Sequence, residues 1–138
     1  MTKLSAVVVT TALVLATAPA VVRATSTQTS PAQAESGIRE LLREYSTALE
    51  RFDPDAVKRV QPSIEVENLR KAFKEMRALS VTIDDVRVLT TDGTVARVRC
   101  RVMQTLTPKA GSKQTTTVIR VMRVRQQVGS WIIESFER

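Results

Sequence analysis

The sequence predicts an α+β domain in which three consecutive helices cover one face of a curved, four-stranded antiparallel sheet. Two observations carry this. Apolar residues recur at steps of three and four from Ile38 to Leu79, and from Ser80 onward the period drops to two. Turn signals then fall at Asp92-Gly93, at Gly111 and at Gly129, which divides the second half into strands joined in sequence order.

The first helix follows from Ile38, Leu41, Leu42, Tyr45, Ala48, Leu49 and Phe52 on one stripe, with Arg39, Glu40, Arg43, Glu44, Glu50 and Arg51 opposite. Asp53 is placed to cap a short second helix, with Pro54 at its first position, where a missing N–H costs nothing. Pro62 ends that helix. Ser63 opens a third, carrying Val66, Leu69, Phe73 and Met76 and stopping near Leu79. The first strand, VTIDDVRVL, changes phase at Asp84-Asp85, which reads as a bulge. Its partner alternates Ala96, Val98, Cys100 and Val102 with Arg97, Arg99 and Arg101. Thr107 to Lys113 is a loop, Gln114 to Gln127 a long strand rich in β-branched residues, and WIIESFE the last strand.

A chain of 138 residues holds one domain. Its start reads as a processed end: Lys3, then the apolar run from Ser5 to Ala18, then small residues at Ala18-Pro19-Ala20 and Val22-Arg23-Ala24. This order predicts a secretory signal peptide over 1–24, cleaved after Ala20 or Ala24. The competing reading is a retained anchor, since no charge falls between Lys3 and Arg23. Thr25 to Ser36 is small and polar and reads as a flexible linker, leaving 37–138 as the folded domain. The expectation is an exported protein, periplasmic or secreted, with no membrane span after cleavage. Cys100 is the single cysteine, so no disulfide within the chain is possible, and a buried structural thiol is expected. The formal charge of +7 falls by two once Lys3 and Arg23 are removed. That modest excess suits an anionic ligand, but one Trp, one Tyr and three Phe are few for stacking on bases, so no nucleic acid is expected. No histidine is present, which argues against zinc; no metal and no cofactor are expected.

The segments I38-R-E-L-L-R-E-Y45-S-T-A-L-E, F52-D-P-D-A-V57, D92-G-T-V-A-R-V and G129-S-W131-I-I, in this order and spacing, resemble the NTF2-like superfamily of SnoaL-like or cystatin-like α+β cones. The resemblance spans Ser36 to Arg138. With V60-Q-P-S63 leading directly into the third helix, it is similar to a short branch found beside bacterial envelope proteins, including membrane-bound kinases. It implies a pocket between helices and sheet. Enzymes of the superfamily such as ketosteroid isomerase place an oxyanion-binding tyrosine on the first helix, at the position similar to Tyr45. Their general-base aspartate sits on a hairpin between the second and third helices, where this chain has only Gln61-Pro62-Ser63. Dehydratase relatives rely on histidine, and this chain has none.

Tyr45 is therefore read as a core phenol with its hydroxyl satisfied, and Asp53 as a helix cap. The candidate pocket is lined in part by Tyr45, Phe73 and Trp131. Arg97, Arg99 and Arg101 form a candidate anionic-ligand patch, joined by Arg123 and Arg125 if the neighbouring strands pair; a solvated outer sheet face is the competing reading. The function expected is a non-enzymatic domain binding a small ligand or a protein partner in the bacterial envelope. The alternatives are an isomerase- or cyclase-type enzyme using the cone pocket, or a homodimerisation module associating through the sheet.

Overall fold

The computed structural model describes residues 30–138. The expected signal peptide and the first residues of the expected linker lie outside the described residues. Helix α1 (Pro31–Glu50) begins before Gly37, so half of the segment read as linker is helical. The reason is local: the Ser30 hydroxyl accepts from the Gln33 N–H, and the Gln33 side chain accepts from the Ser30 N–H. This closes a capping box in front of Pro31. Ala34 then anchors the new first turn, only 2% exposed.

At its other end α1 closes on a Schellman motif, with Phe52 N–H to Leu49 O and Asp53 N–H to Ala48 O. The residue in the left-handed position is Phe52 (φ 54°) rather than glycine, and its ring lies 5.2 Å from Phe73. Asp53 accepts from the Ala56 N–H at 3.0 Å and caps α2 (Pro54–Val60) as expected. Helix α3 (Val66–Lys74) starts after Glu65 rather than at Ser63, whose hydroxyl instead donates to the Glu134 carbonyl. It also stops before Met76. That methionine opens strand β1 (Met76–Thr91), because its backbone pairs with Pro108 and Lys109 N–H bonds Glu75 O.

Strands β2 (Val95–Pro108), β3 (Gln114–Gln127) and β4 (Ser130–Phe136) complete an antiparallel sheet in the order β1-β2-β3-β4. The bulge expected at Asp84-Asp85 is present as a register shift between Asp84 and Arg87, with Asp85 at φ 50°. Such shifts bend long strands and let one face wrap around helices. That inner face carries Val81, Ala96, Val98, Cys100, Val102, Met122, Val124 and Ile133, packed against Ile38, Leu41, Leu42 and Leu49 of α1. The Val81 N–H also donates to Glu50 Oε1 at 2.8 Å, tying the end of α1 to the sheet.

Two positions show backbone geometry controlling packing. A Cβ on Gly37 would lie 2.6 Å from Trp131 Cδ1 and 2.7 Å from Nε1. Alanine normally improves a helix interior by about 1 kcal/mol, but here the indole cannot yield without leaving the core. Gly37→Ala is expected to destabilise by about 2 kcal/mol in chemical denaturation. In a Trp131→Phe background the same change should cost far less, and equal costs in both backgrounds would refute the clash. At the β3–β4 hairpin the opposite holds. Val128 (φ 48°) is fully exposed and Gly129 has φ 78°, a type I′ turn that suits asparagine and penalises a β-branched residue. Val128→Asn is expected to raise stability by about 1 kcal/mol.

Candidate functional site

Tyr45 projects from the C-terminal half of α1 toward the inner sheet face, half-buried, with its ring 6.3 Å from that of Phe136. It lines a hollow of about 200 Å³ together with Ile83, Val102, Gln104, Arg120, Met122 and Phe136. This is space for about six waters at liquid density, enough for a small organic molecule. Most of the wall is apolar. The polar groups are the phenol, the Gln104 amide and the Arg120 guanidinium.

Sequence alternation explains how they converge. On β3 the inward phase is Val118, Arg120, Met122 and Val124, and on β2 it is Cys100, Val102 and Gln104; Arg120 sits opposite Cys100 in the pairing register. An arginine thus stands between Val118 and Met122 in the apolar middle of the inward row. Both alternations of β3 contain apolar residues, Ile119 and Val121 on one side, Val118 and Met122 on the other, so its phase is set only by pairing. This is why sequence reasoning missed Arg120. The usable signal is the basic residue flanked at both second neighbours by Val118 and Met122.

Electrostatics distinguish this hollow from the rest of the sheet. Burial pushes the Tyr45 phenol above its ordinary pKa, opposed by the nearby Arg120 charge and reinforced by Cys100. The phenol is therefore a neutral hydrogen-bond donor at physiological pH. Its hydroxyl makes no hydrogen bond to any described residue, contrary to the expectation of a satisfied core phenol. Cys100 is fully buried, and desolvation, then the Asp84 charge, pushes its thiol up to about 11. No carboxylate lines the hollow. Among the described residues no group of three His, Cys, Asp or Glu is placed to hold a metal.

The other expected pocket residues lie elsewhere. Phe73 is buried against Phe52, where α3 meets the end of α1. Trp131 packs against Gly37 and floors a separate, open groove of about 660 Å³ between α1, α2 and the start of β4. Gly37 and Tyr45 are eight residues apart, about 12 Å along a helix axis, so they meet different parts of the sheet. Tyr45, Phe73 and Trp131 therefore do not share one pocket.

The arginine row occupies the outer sheet face, and its members are paired with acids. Arg97 forms a fork with Glu137, both contacts 2.7 Å. Arg101 does the same with Asp84 at 2.7 and 2.9 Å. Arg99 lies 3.6 Å from Asp85. Arg123, opposite Arg97 in register, pairs with Glu134 at 2.9 Å, and Arg125 pairs with the same carboxylate. These guanidinium hydrogen bonds hold the Asp84 and Glu137 carboxyls below their ordinary values. The row is an ion-pair ladder. Arg120, by contrast, has no carboxylate partner among the described residues.

The sequence matches no protein-family model and no curated protein sequence. The fold does find likenesses among solved structures. A protein assigned as a scytalone dehydratase from Novosphingobium aromaticivorans superposes with a TM-score of 0.70 at 15% identity, over 75% of this chain and 81% of that one. A protein from Streptomyces avermitilis, assigned as a dehydratase of the NTF2-like family, gives 0.66 at 14% identity over 78% and 96%. The hexachlorocyclohexane dehydrochlorinase LinA-type3 of Novosphingobium barchaimii gives 0.64 at 7% identity over 76% and 84%. The chain has the NTF2-like α+β fold, as the sequence resemblance implied. The expectation of a non-enzymatic binding domain is corrected by the same finding, since the neighbours that share the fold bear the names of enzymes.

Proposed function

We propose that this chain is a small-molecule enzyme of the isomerase or cyclase type that uses the hollow at Tyr45. The observation that carries the reading is a neutral phenol donor, without a protein partner, facing a hollow between α1 and the sheet. The enzyme names of the fold neighbours support it.

The lining restricts the chemistry. A general base needs a pKa near the working pH. The hollow holds no carboxylate, and the Cys100 thiol beside it, at about 11, stays protonated. The chain's contribution is then electrophilic. Tyr45 donates to a substrate carbonyl oxygen, and this hydrogen bond strengthens as negative charge grows on that oxygen. A substrate whose C–H is already acidic, such as a 1,3-dicarbonyl compound, gives its proton to water at the open lip. The resulting enolate is either reprotonated on oxygen, which releases the enol tautomer, or attacks a second carbonyl of the same molecule through its central carbon, and the alkoxide left by that ring closure takes its proton back from water. No external oxidant or reductant is required.

The test is turnover of a panel of 1,3-dicarbonyl compounds, followed by enol absorbance. Acceleration is expected in the wild type. Rates no higher than in buffer across the panel would end the proposal.

A further inference from the structure

Resting on that reading of the hollow, we infer that Arg120 makes it selective for substrates that carry an anionic group, a carboxylate in particular. The contrast between the two faces of one sheet is the argument. On the outer face Arg97, Arg99, Arg101, Arg123 and Arg125 have carboxylates within ion-pair distance. On the inner face, Arg120 lines the hollow between Val118 and Met122, its second neighbours along β3, and no described acid pairs with it.

An inward basic residue opposite the fully buried Cys100 and flanked by Val118 and Met122 adds nothing to packing that valine would not supply better. Its guanidinium is exposed enough to keep its charge hydrated when the hollow is empty. It is also close enough to Tyr45 for its charge to act on the phenol. The hollow therefore has a cation at its lip and a neutral donor within, separated by an apolar wall. That arrangement matches a molecule with a carboxylate at one end and a carbonyl at the other. The guanidinium fork fits a carboxylate through two parallel N–H···O bonds, and the phenol takes the carbonyl. Gln104, on the adjoining strand, supplies one further donor and acceptor at the same mouth.

The experiment compares benzoate with benzamide, a neutral probe of nearly the same shape, by titration of the isotope-labelled full chain with amide chemical shifts as readout. Benzoate is expected to bind about tenfold more tightly, the low end for a charge-assisted bond at a solvent-exposed group. The perturbed amides should be those of Tyr45, Gln104 and Arg120. Arg120→Gln should remove the preference by weakening benzoate more than benzamide, and Arg120→Lys should retain part of it. Tyr45→Phe should weaken both probes and preserve their ratio. Raising the salt concentration should shrink the preference, because the cation is exposed. Equal binding of the two probes in the hollow, or a preference that survives Arg120→Gln, overturns the assignment to Arg120 while leaving the enzymatic reading in place. If neither probe shifts residues of the hollow, both fall together. Thermal unfolding of the variants separates lost binding from lost folding.

Discussion

Tyr45→Phe is expected to lower kcat/KM on the 1,3-dicarbonyl panel about a hundredfold, with little change in melting temperature. The first half follows from the role of the phenol. Removing a single preorganised donor to a developing oxyanion typically costs about 10²- to 10³-fold, and the open, partly solvated mouth places this site at the lower end. The second half follows from the structure around it. The hydroxyl has no protein partner among the described residues, so its removal strands no buried group. The ring contact with Phe136 is kept by phenylalanine. Because burial holds the phenol above its ordinary pKa, the donor is present throughout neutral and mildly alkaline pH and is lost only at more alkaline pH than an ordinary phenol. A variant with unchanged kcat/KM would show that Tyr45 is framework alone. A large fall in melting temperature alongside lost activity would show that the loss is structural.

The Cys100 thiol gives the largest contrast. Alkylation by iodoacetamide at pH 8 is expected to run at least about a thousandfold more slowly in the native chain than in the unfolded one. Only the thiolate reacts, and at a pKa of about 11 roughly one thiol in a thousand is ionised at pH 8, against roughly a tenth in an unfolded chain. Full burial adds a further requirement, that the core between α1 and the sheet must open before the reagent arrives. The same shift has a consequence for stability. The folded state holds its proton more tightly than the unfolded one, so the contribution is fully present below about pH 9 and is lost progressively as pH rises toward 11. Two pH units correspond to about 2–3 kcal/mol. The difference in unfolding free energy between wild type and Cys100→Ala, followed from pH 7 to 11, isolates this term from the lysines and Tyr45. A flat difference, or rapid native alkylation, would place Cys100 outside the core.

Helices and strands differed in how much of them the sequence disclosed. The stripe from Ile38 to Phe52 and the Asp53-Pro54 cap specify α1 and α2 through contacts within a few residues, and both are found. The end of α3 was misplaced because Met76 fits a helical period equally well; its pairing with Pro108, far along the chain, makes it a strand residue. The start of α1 was placed too late, although its signal was present in Ser30, Pro31 and Gln33. A polar composition obscured a capping box.

By itself the sequence determined the order of elements, the turn positions and the apolar faces of the helices, because these follow from local backbone preference and periodicity. It also determined the absence of histidine and of a second cysteine, which confines the chemistry of any site. Tertiary structure alone decided which phase of β3 faces inward. That choice places Arg120 beside Tyr45 and leaves Arg123 and Arg125 on the outer ladder. It also separated Trp131 from Tyr45 at different stations along α1. Each of these depends on strand register and on the bend of the sheet, which are settled by the packing of residues distant in the chain and leave no periodic trace in any single segment.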